Sequence, residues 1–181
     1  NCLDVHASTM PNKKAIIFES EDGEVQTFTY KELMEAVCVF SNGLIKLGIQ
    51  PMDRVIIYMP MVPEAIIAMQ ACARIGAVHS VVFGGFSANA LRDRINDAAA
   101  KIVITADGAY RGGKIIPLKE STDVALEQDC ECIEHVVVLK RTNASIPMKE
   151  ERDVWWESLI QGEDKHCDAV SLPSEHPLFI L

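Results

Sequence analysis

The stretch of residues 54–86 constrains the fold more than any other part of the chain. It holds two apolar runs rich in β-branched residues, 54–59 and 78–83, with an apolar helical segment between them. Pro63 suits the first turn of that helix, because the N–H that proline lacks has no intrahelical partner there. Gly76 suits the position that caps the C-terminus of the helix. Two continuous apolar strands joined by a helix form the βαβ unit of a parallel sheet.

Strands and helices continue to alternate along the rest of the chain. Thr29 and Glu32 form a capping box at the start of a helix, and Ser87 suits the N-cap of another. The pair Asp22-Gly23 predicts a hairpin at the periphery of the sheet. Further strands are expected at residues 101–107, 133–139 and 177–181, and further helices at 118–128 and 153–160. This alternation predicts an α/β fold in which a layered sheet is flanked by helices.

The sequence also predicts the burial or orientation of four individual side chains. Val124 is expected to be buried on the helix of residues 118–128. Trp155 and Trp156 are adjacent on the predicted helix 153–160, so they should point to different sides and at least one should lie in the core. His79 lies inside an apolar strand and is expected to be a core histidine rather than a catalytic base.

Composition and charge exclude several classes of protein. The chain has 181 residues, of which 49% are hydrophobic, enough for one domain or part of one. A net charge of −9 argues against nucleic acid as a partner. No apolar run approaches the roughly 18 residues of a membrane span, so we expect no membrane partner. The six cysteines form no C-x-x-C pair, which favours reduced thiols, no metal site and a cytoplasmic location.

The two ends of the chain predict a fragment of a longer protein. The chain starts with Asn1 rather than methionine and stops within the apolar run 177–181. A native domain rarely ends inside a core strand. We therefore expect this chain to be part of a larger domain that is truncated at both ends.

Ligands of open α/β sheets bind at the carboxyl ends of the strands. By this rule, the loops at residues 60–63, 84–87 and 108–114 are the candidates. Gly84 and Gly85 would let a ligand approach the backbone, and the helix that follows would offer free N–H groups to an anion. A plain tight turn capped by a serine would have the same sequence.

The glycine-rich segment 108–119 is the strongest candidate for an anion site. It contains three cations and no acid, although the chain is acidic. Arg111 and Lys114 flank Gly112 and Gly113, which have no side chains that would keep a ligand away from the backbone. Arginine offers a planar fork to a phosphate and lysine offers a point charge. A solvated basic loop is the alternative. No catalytic triad, paired carboxylates or P-loop is present, so no catalytic residue is assigned.

Six segments of the chain form a joint pattern. They are NCLDVH at residues 1–6, YMPMVPE at 58–64, ACARIGAVHS at 71–80, VFGGFS at 82–87, HVVVLKR at 135–141 and DVWW at 153–156. Together they resemble the acetyl/propionyl-CoA synthetase branch of the AMP-forming, acyl-adenylate-forming ligases. The Arg-Gly-Gly-Lys segment followed by Ile-Pro-Leu-Lys is more similar to the acetate enzymes than to the propionate enzymes.

The resemblance implies that residues 1–181 are part of the large N-terminal domain of such a ligase. Those enzymes activate acetate with ATP to acetyl-AMP and then transfer the acetyl group to CoA, releasing AMP and pyrophosphate. ATP, CoA and Mg²⁺ are the implied cofactors. The ATP phosphate-binding loop, the Mg²⁺ ligand and the small C-terminal domain are expected to lie outside this chain. The fragment alone is therefore expected to be inactive.

The resemblance also implies a role for individual residues in this chain. The positions of Arg111, Gly112, Gly113 and Lys114 correspond to a loop that binds the 3′-phosphorylated nucleotide end of CoA, and Gly85 corresponds to a glycine that approaches CoA. Members of the family often have arginine at the position of Lys114. Lysine keeps the positive charge but lacks the planar fork with which arginine binds a phosphate through two hydrogen bonds.

Two other functions stay open at this point. The chain could come from a propionyl-CoA synthetase, because the residues that shape the acyl pocket are expected outside it. It could also be a non-catalytic α/β nucleotide-binding domain. A Ser/Thr/Gly-rich loop directly after Leu181 in the parent gene would favour a ligase.

Overall fold

A computed structural model describes residues 2–21, 23–127 and 129–181, and the helices and strands below belong to this part of the chain. The strands are β1 (Lys14–Glu19), β2 (Val25–Thr29), β3 (Arg54–Ile57), β4 (Val78–Val81), β5 (Ile102–Ala106), β6 (Ala109–Arg111), β7 (Lys114–Ile116), β8 (His135–Leu139), β9 (Asp153–Trp155) and β10 (Phe179–Ile180). The helices are α1 (Asp4–Thr9), α2 (Tyr30–Lys46), α3 (Pro63–Ile75), α4 (Ala88–Ala98), α5 (Leu118–Ala125) and α6 (Trp156–Ile160).

A parallel sheet of six strands forms the centre of the molecule. Its strand order is β10-β4-β3-β5-β8-β9, and every neighbouring pair is parallel. All five residues of β5 are buried, as are three of the four in β3. This confirms the prediction of an α/β fold with a buried parallel sheet. The predicted hairpin at the periphery is also confirmed, because β1 and β2 form a separate antiparallel sheet.

Helices cover both faces of this sheet. The connection from β3 to β4 and the connection from β4 to β5 run in opposite directions across the sheet. Since such crossovers are right-handed, α3 and α4 are placed on opposite faces. Accordingly, α3 packs with α2, whereas α4 packs with α5. The loops that leave β3 and β5 therefore diverge, which opens a crevice at the carboxyl ends of these neighbouring strands.

The helix ends follow the sequence signals. The Thr29 hydroxyl accepts a hydrogen bond from the Glu32 amide, and the Glu32 carboxylate accepts one from the Thr29 amide, so the capping box is confirmed. Gly76 ends α3 with a φ of 77°, in the left-handed region. The predictions that concern Asn1, Asp22 and Gln128 lie outside the described residues. None of the described helices is both long and apolar enough to cross a membrane.

Two local predictions are wrong. Trp155 belongs to strand β9 rather than to a helix, because β9 pairs with the open edge of β8 and places Trp155 beside Val138. Trp156 begins α6, is buried and stacks on Phe40 with the ring centroids 3.7 Å apart, which confirms a tryptophan in the core. Val124 is exposed, because its side of α5 faces solvent.

A buried cluster of charges ties α5 to β9. The Lys119 ammonium is fully buried and lies 2.7 Å from an Asp123 oxygen and 2.8 Å from an Asp153 oxygen. Arg152 donates to both carboxylates at 2.6 Å. Burial works to raise the pKa of Asp153, but hydrogen bonds from Arg152 and Lys119 outweigh it and lower that pKa. The cluster therefore holds Asp153 ionised at the start of β9.

Replacing Lys119 with methionine should destabilise the fold. The substitution leaves two carboxylates in the cluster with a single cation, and breaking a buried charge pair in this way costs about 3 kcal/mol. Urea denaturation measures the effect as a lower free energy of unfolding. The matched control is Lys46→Met, which removes an exposed ammonium that pairs with Glu163 and should cost less than about 1 kcal/mol. Equal losses in the two variants would contradict the assigned role of the cluster.

The contribution of Asp153 should depend on pH. Its pKa is lowered by folding, so its stabilising effect is present above the unfolded value of about 4 and is lost as the pH falls through the folded pKa. The free energies of unfolding of the wild type and Asp153→Asn should therefore differ most near neutral pH and converge in acid. Urea titrations at a series of pH values test this, and a gap that does not change with pH would refute it.

Candidate functional site

A cleft of about 530 Å³ lies at the carboxyl ends of the central strands. The loops that follow β3 and β4, strand β6 and the end of β1 together form its walls. Aromatic, aliphatic, arginine, glutamate and glycine residues line it. They include Phe18, Glu21, Phe83, Gly84, Gly85, Tyr110, Arg111 and Arg141. The structure thus brings the three predicted candidate loops to one place.

The buried carboxylate of Asp107 organises one end of this cleft. Asp107 follows β5 and is only 1% exposed. Its oxygens accept hydrogen bonds from the amide of Gly108 at 2.7 Å, from those of Arg141 and Thr142 at 2.9 Å, and from that of Ala144 at 3.1 Å. These bonds fix the chain directly after β5 and directly after β8 with one side chain.

The segment that was predicted as a glycine-rich loop is a β-hairpin. Strands β6 and β7 pair antiparallel, with Arg111 opposite Lys114. Gly112 and Gly113 form the two-residue turn with φ values of 58° and 73°. Positive φ at both positions is the requirement of the tightest hairpin turns, which explains the two glycines. A Gly-Gly pair between short apolar segments is itself a hairpin signal, so the sequence could have indicated this turn.

Gly85 and Arg111 lie side by side in the cleft. The Arg111 guanidinium carbon lies 5.2 Å from the centroid of the Phe83 ring. A Cβ added to Gly85 would lie 2.8 Å from Arg111 Nη1 and 2.5 Å from Phe83 Cε1, too close for either contact. A side chain at position 85 would therefore shift the Arg111 guanidinium or the Phe83 ring from this arrangement. A guanidinium held in this way presents its donors to the cleft.

The turn of the β6–β7 hairpin already contacts one anionic side chain. The Glu21 carboxylate accepts hydrogen bonds from the amide of Gly112 at 3.1 Å and from that of Gly113 at 3.5 Å. Lys114 begins β7 on the far side of the turn and does not line the cleft. Among the described residues, no carboxylate forms an ion pair with Arg111 or Lys114 within 4.0 Å. These two cations are therefore available to an external anion.

Arg141 is a further cation of the cleft that sequence reasoning did not select. Its guanidinium carbon lies 5.6 Å from the centroid of the Tyr110 ring and 5.8 Å from that of Phe18. Two aromatic rings thus hold the side chain, while the Asp107 carboxylate holds its backbone. The signal for it was its place two residues after β8, at the same edge of the sheet as the other candidate loops.

Tyr58 supports the glycine turn after β4. Its buried hydroxyl donates a hydrogen bond to the carbonyl of Phe86 at 2.9 Å. Burial raises the pKa of this phenol, so it stays a neutral donor. A Cβ at Gly84 would lie 3.2 Å from the carbonyl oxygen of Met59, so this turn packs closely on the end of β3.

The described residues hold no evident catalytic group in the cleft. His79 is buried, as predicted, and burial lowers its pKa, but its Nδ1 has no hydrogen-bond partner within the described part of the chain. It does not line the cleft. The described residues also contain no group of three or more His, Cys, Asp or Glu side chains that could hold a metal ion.

The sequence model of a family described as AMP-binding enzyme matches residues 3–181, almost the entire chain. The chain belongs to the AMP-binding enzyme family.

Comparison with individual proteins is more specific than the match to the family. An acetyl-coenzyme A synthetase from Pasteurella multocida (strain Pm70) is 59% identical over 181 residues, and one from Laribacter hongkongensis (strain HLHK9) is 58% identical over 182 residues. Both alignments include 100% of this chain and 28% of the relative, so the chain spans little more than a quarter of their length. The predicted resemblance to acetyl-CoA synthetases is confirmed.

A solved structure confirms the fold. The acetoacetyl-CoA synthetase from Streptomyces lividans superimposes with a TM-score of 0.89 at 26% sequence identity. The superposition covers 99% of this chain and 27% of that chain. This chain thus resembles one portion of a much larger enzyme.

Replacing Asp107 with asparagine should loosen the cleft. The amide side chain offers one acceptor oxygen in place of two and turns an N–H₂ group toward backbone donors. Loss of charged hydrogen bonds of this kind costs about 2–3 kcal/mol of folding free energy. Hydrogen exchange should become faster at the amides of Arg141, Thr142 and Ala144. The control is Asp97→Asn, on the exposed face of α4, in which these three amides should exchange as in the wild type. If the two variants exchange alike, Asp107 does not anchor the chain after β8.

Proposed function

We propose that this chain is part of the large N-terminal domain of an AMP-forming acetate–CoA ligase and that it forms one wall of the CoA site. The full-length enzyme would join acetate to ATP, giving acetyl-AMP and pyrophosphate, and the CoA thiol would then displace AMP to give acetyl-CoA. The names of relatives that are 59% and 58% identical support acetate as the acid.

One observation carries the assignment of the CoA site. Arg111 lies against Phe83 beside Gly85, has no ion pair within the described residues, and stands at one end of a turn that has Lys114 at the other. Two cations that form no ion pair among the described residues, on a turn whose backbone N–H groups converge on a carboxylate, suit a phosphate monoester. The proposed CoA-binding residues are Gly85, Arg111, Gly112, Gly113 and Lys114, and the 3′-phosphate of CoA is their proposed ligand.

In this proposal the residues of the chain bind and orient CoA, and they take no part in bond making. Contacts to the nucleotide end of CoA are remote from the reacting thiol. Such contacts contribute binding energy that holds the thiol end in place for attack on the acetyl carbon of acetyl-AMP. The attack expels AMP, whose phosphate oxygen carries away the bonding electron pair.

ATP and Mg²⁺ are also part of the proposed reaction. The described residues include no cluster that fits a metal ion, so no ligand for Mg²⁺ is assigned to them. The sequence contains no P-loop, so no ATP phosphate contact is assigned to this chain either. Both would be bound by other parts of the full-length enzyme.

A cytoplasmic location belongs to the same proposal. Cys38, Cys72, Cys130 and Cys167 are buried free thiols, which suits a reducing compartment. Burial raises the pKa of the Cys72 thiol to about 12, so this side chain behaves as a small apolar group.

Replacing Arg111 with alanine in the full-length enzyme should raise the KM for CoA more than the KM for ATP. Loss of a charge-assisted bond to the phosphate should raise the CoA KM by about 10- to 100-fold. Initial-rate kinetics with CoA and ATP varied in turn measure both constants.

The control for this experiment is Arg92→Ala. Arg92 lies on α4, pairs with Asp93 and does not line the cleft, so both KM values should stay near the wild type. The proposal fails if Arg111→Ala leaves the CoA KM unchanged, or if it raises the CoA and ATP constants by the same factor.

A further inference from the structure

The anion position of the β6–β7 turn is filled by a carboxylate of the protein itself. Glu21 reaches from the tip of the β1–β2 hairpin, 91 residues away in the sequence, and accepts hydrogen bonds from Gly112 and Gly113. Two successive amides donate to one carboxylate, one to each oxygen. The turn therefore shows directly that its backbone N–H groups converge on an anion.

The geometry of the turn explains this contact. Positive φ at both Gly112 and Gly113 turns consecutive N–H groups toward the same side of the backbone. Such concave arrangements bind single anionic oxygens or phosphate groups. Arg111 precedes the turn and Lys114 follows it, yet neither forms an ion pair with Glu21 in the structure. The carboxylate thus uses the amides and leaves both cations unneutralised.

We propose that Glu21 occupies the subsite for the 3′-phosphate of CoA and competes with that phosphate for the turn. This inference rests on the proposed function. Glu21 would then be a specificity-determining residue: it lowers the affinity for CoA, which brings a 3′-phosphate to the turn, and leaves the affinity for 3′-dephospho-CoA unaltered.

Displacement of Glu21 requires little rearrangement. The Glu21 residue is exposed, so its carboxylate moves into water when its side-chain torsions rotate. A phosphate monoester carries close to two charges and three acceptor oxygens, and it would meet Arg111 and Lys114 as well as the two amides. The phosphate dianion is therefore a stronger ligand of the turn than the Glu21 carboxylate. Competition from the carboxylate lowers the net affinity of the turn for the phosphate.

The sign of the change in CoA affinity when Glu21 is replaced distinguishes competition from a structural role. If Glu21 served only to hold the turn in shape, its loss would weaken CoA binding. If it competes, its loss strengthens CoA binding. Glu21→Gln keeps the size and the acceptor oxygen of the side chain and removes its charge, so it distinguishes the two roles with little risk to folding.

The experiment measures the dissociation constants of CoA and 3′-dephospho-CoA by calorimetry on the full-length protein. In Glu21→Gln, the Kd for CoA should fall about three- to tenfold, the effect of removing one repulsive charge beside a phosphate at high dielectric constant. The Kd for 3′-dephospho-CoA should not change. The control Glu24→Gln removes the same charge from the same hairpin and should leave both constants at their wild-type values.

Amide exchange of Gly112 and Gly113 without ligand is the second measurement. Exchange should be faster in Glu21→Gln, because the carboxylate that accepts from these amides has lost its charge. A Kd for CoA that is unchanged or higher in this variant overturns the inference, as does an equal decrease for both nucleotides. If the wild type binds no CoA, the proposed function and the inference both fail; if it binds CoA and Glu21→Gln has no effect, only the inference fails.

Discussion

The arrangement of the cleft depends on the buried carboxylate of Asp107. A buried carboxyl group is tolerated only when its hydrogen-bonding capacity is satisfied, and here backbone amides after two different strands satisfy it. The start of the β6–β7 hairpin and the position of Arg141 are therefore set together. Because Arg111 stands at the end of β6, the geometry of its guanidinium relative to Gly85 follows from the same anchor.

The sheet and most helices could be predicted because their signals are local. Strands covered on both faces, such as β3 and β5, appear in the sequence as continuous apolar runs, and the capping box of Thr29 and Glu32 marks the start of α2 by itself. Trp155 could not be placed in this way. Its extended conformation depends on the free edge of β8, which only the assembled sheet provides.

The residues of the candidate site also fall into two groups, those that a sequence rule could select and those that only the folded structure places. The rule that ligands bind at the carboxyl ends of parallel strands was sufficient to select the loops that hold Gly85 and Arg111. Glu21 was beyond its reach, since its position depends on how a peripheral hairpin packs. The rule also indicates the loop of Arg141, which follows β8, but it does not show that Asp107 holds the Arg141 backbone at the cleft. What these residues contribute is a balance of charge: the cations Arg111, Arg141 and Lys114 lie near a cleft whose lining also holds Glu19 and Glu21, and that balance is visible only in three dimensions.

The stacking of Trp156 on Phe40 has a consequence for spectroscopy. The chain has two tryptophans, adjacent in sequence, and both lie in the β9–α6 region rather than along the cleft. Intrinsic fluorescence of this chain is therefore an optical probe of how α6 packs against α2. It should follow global unfolding closely and respond weakly to an anion at the glycine turn, so ligand titrations of the turn need a reporter placed elsewhere.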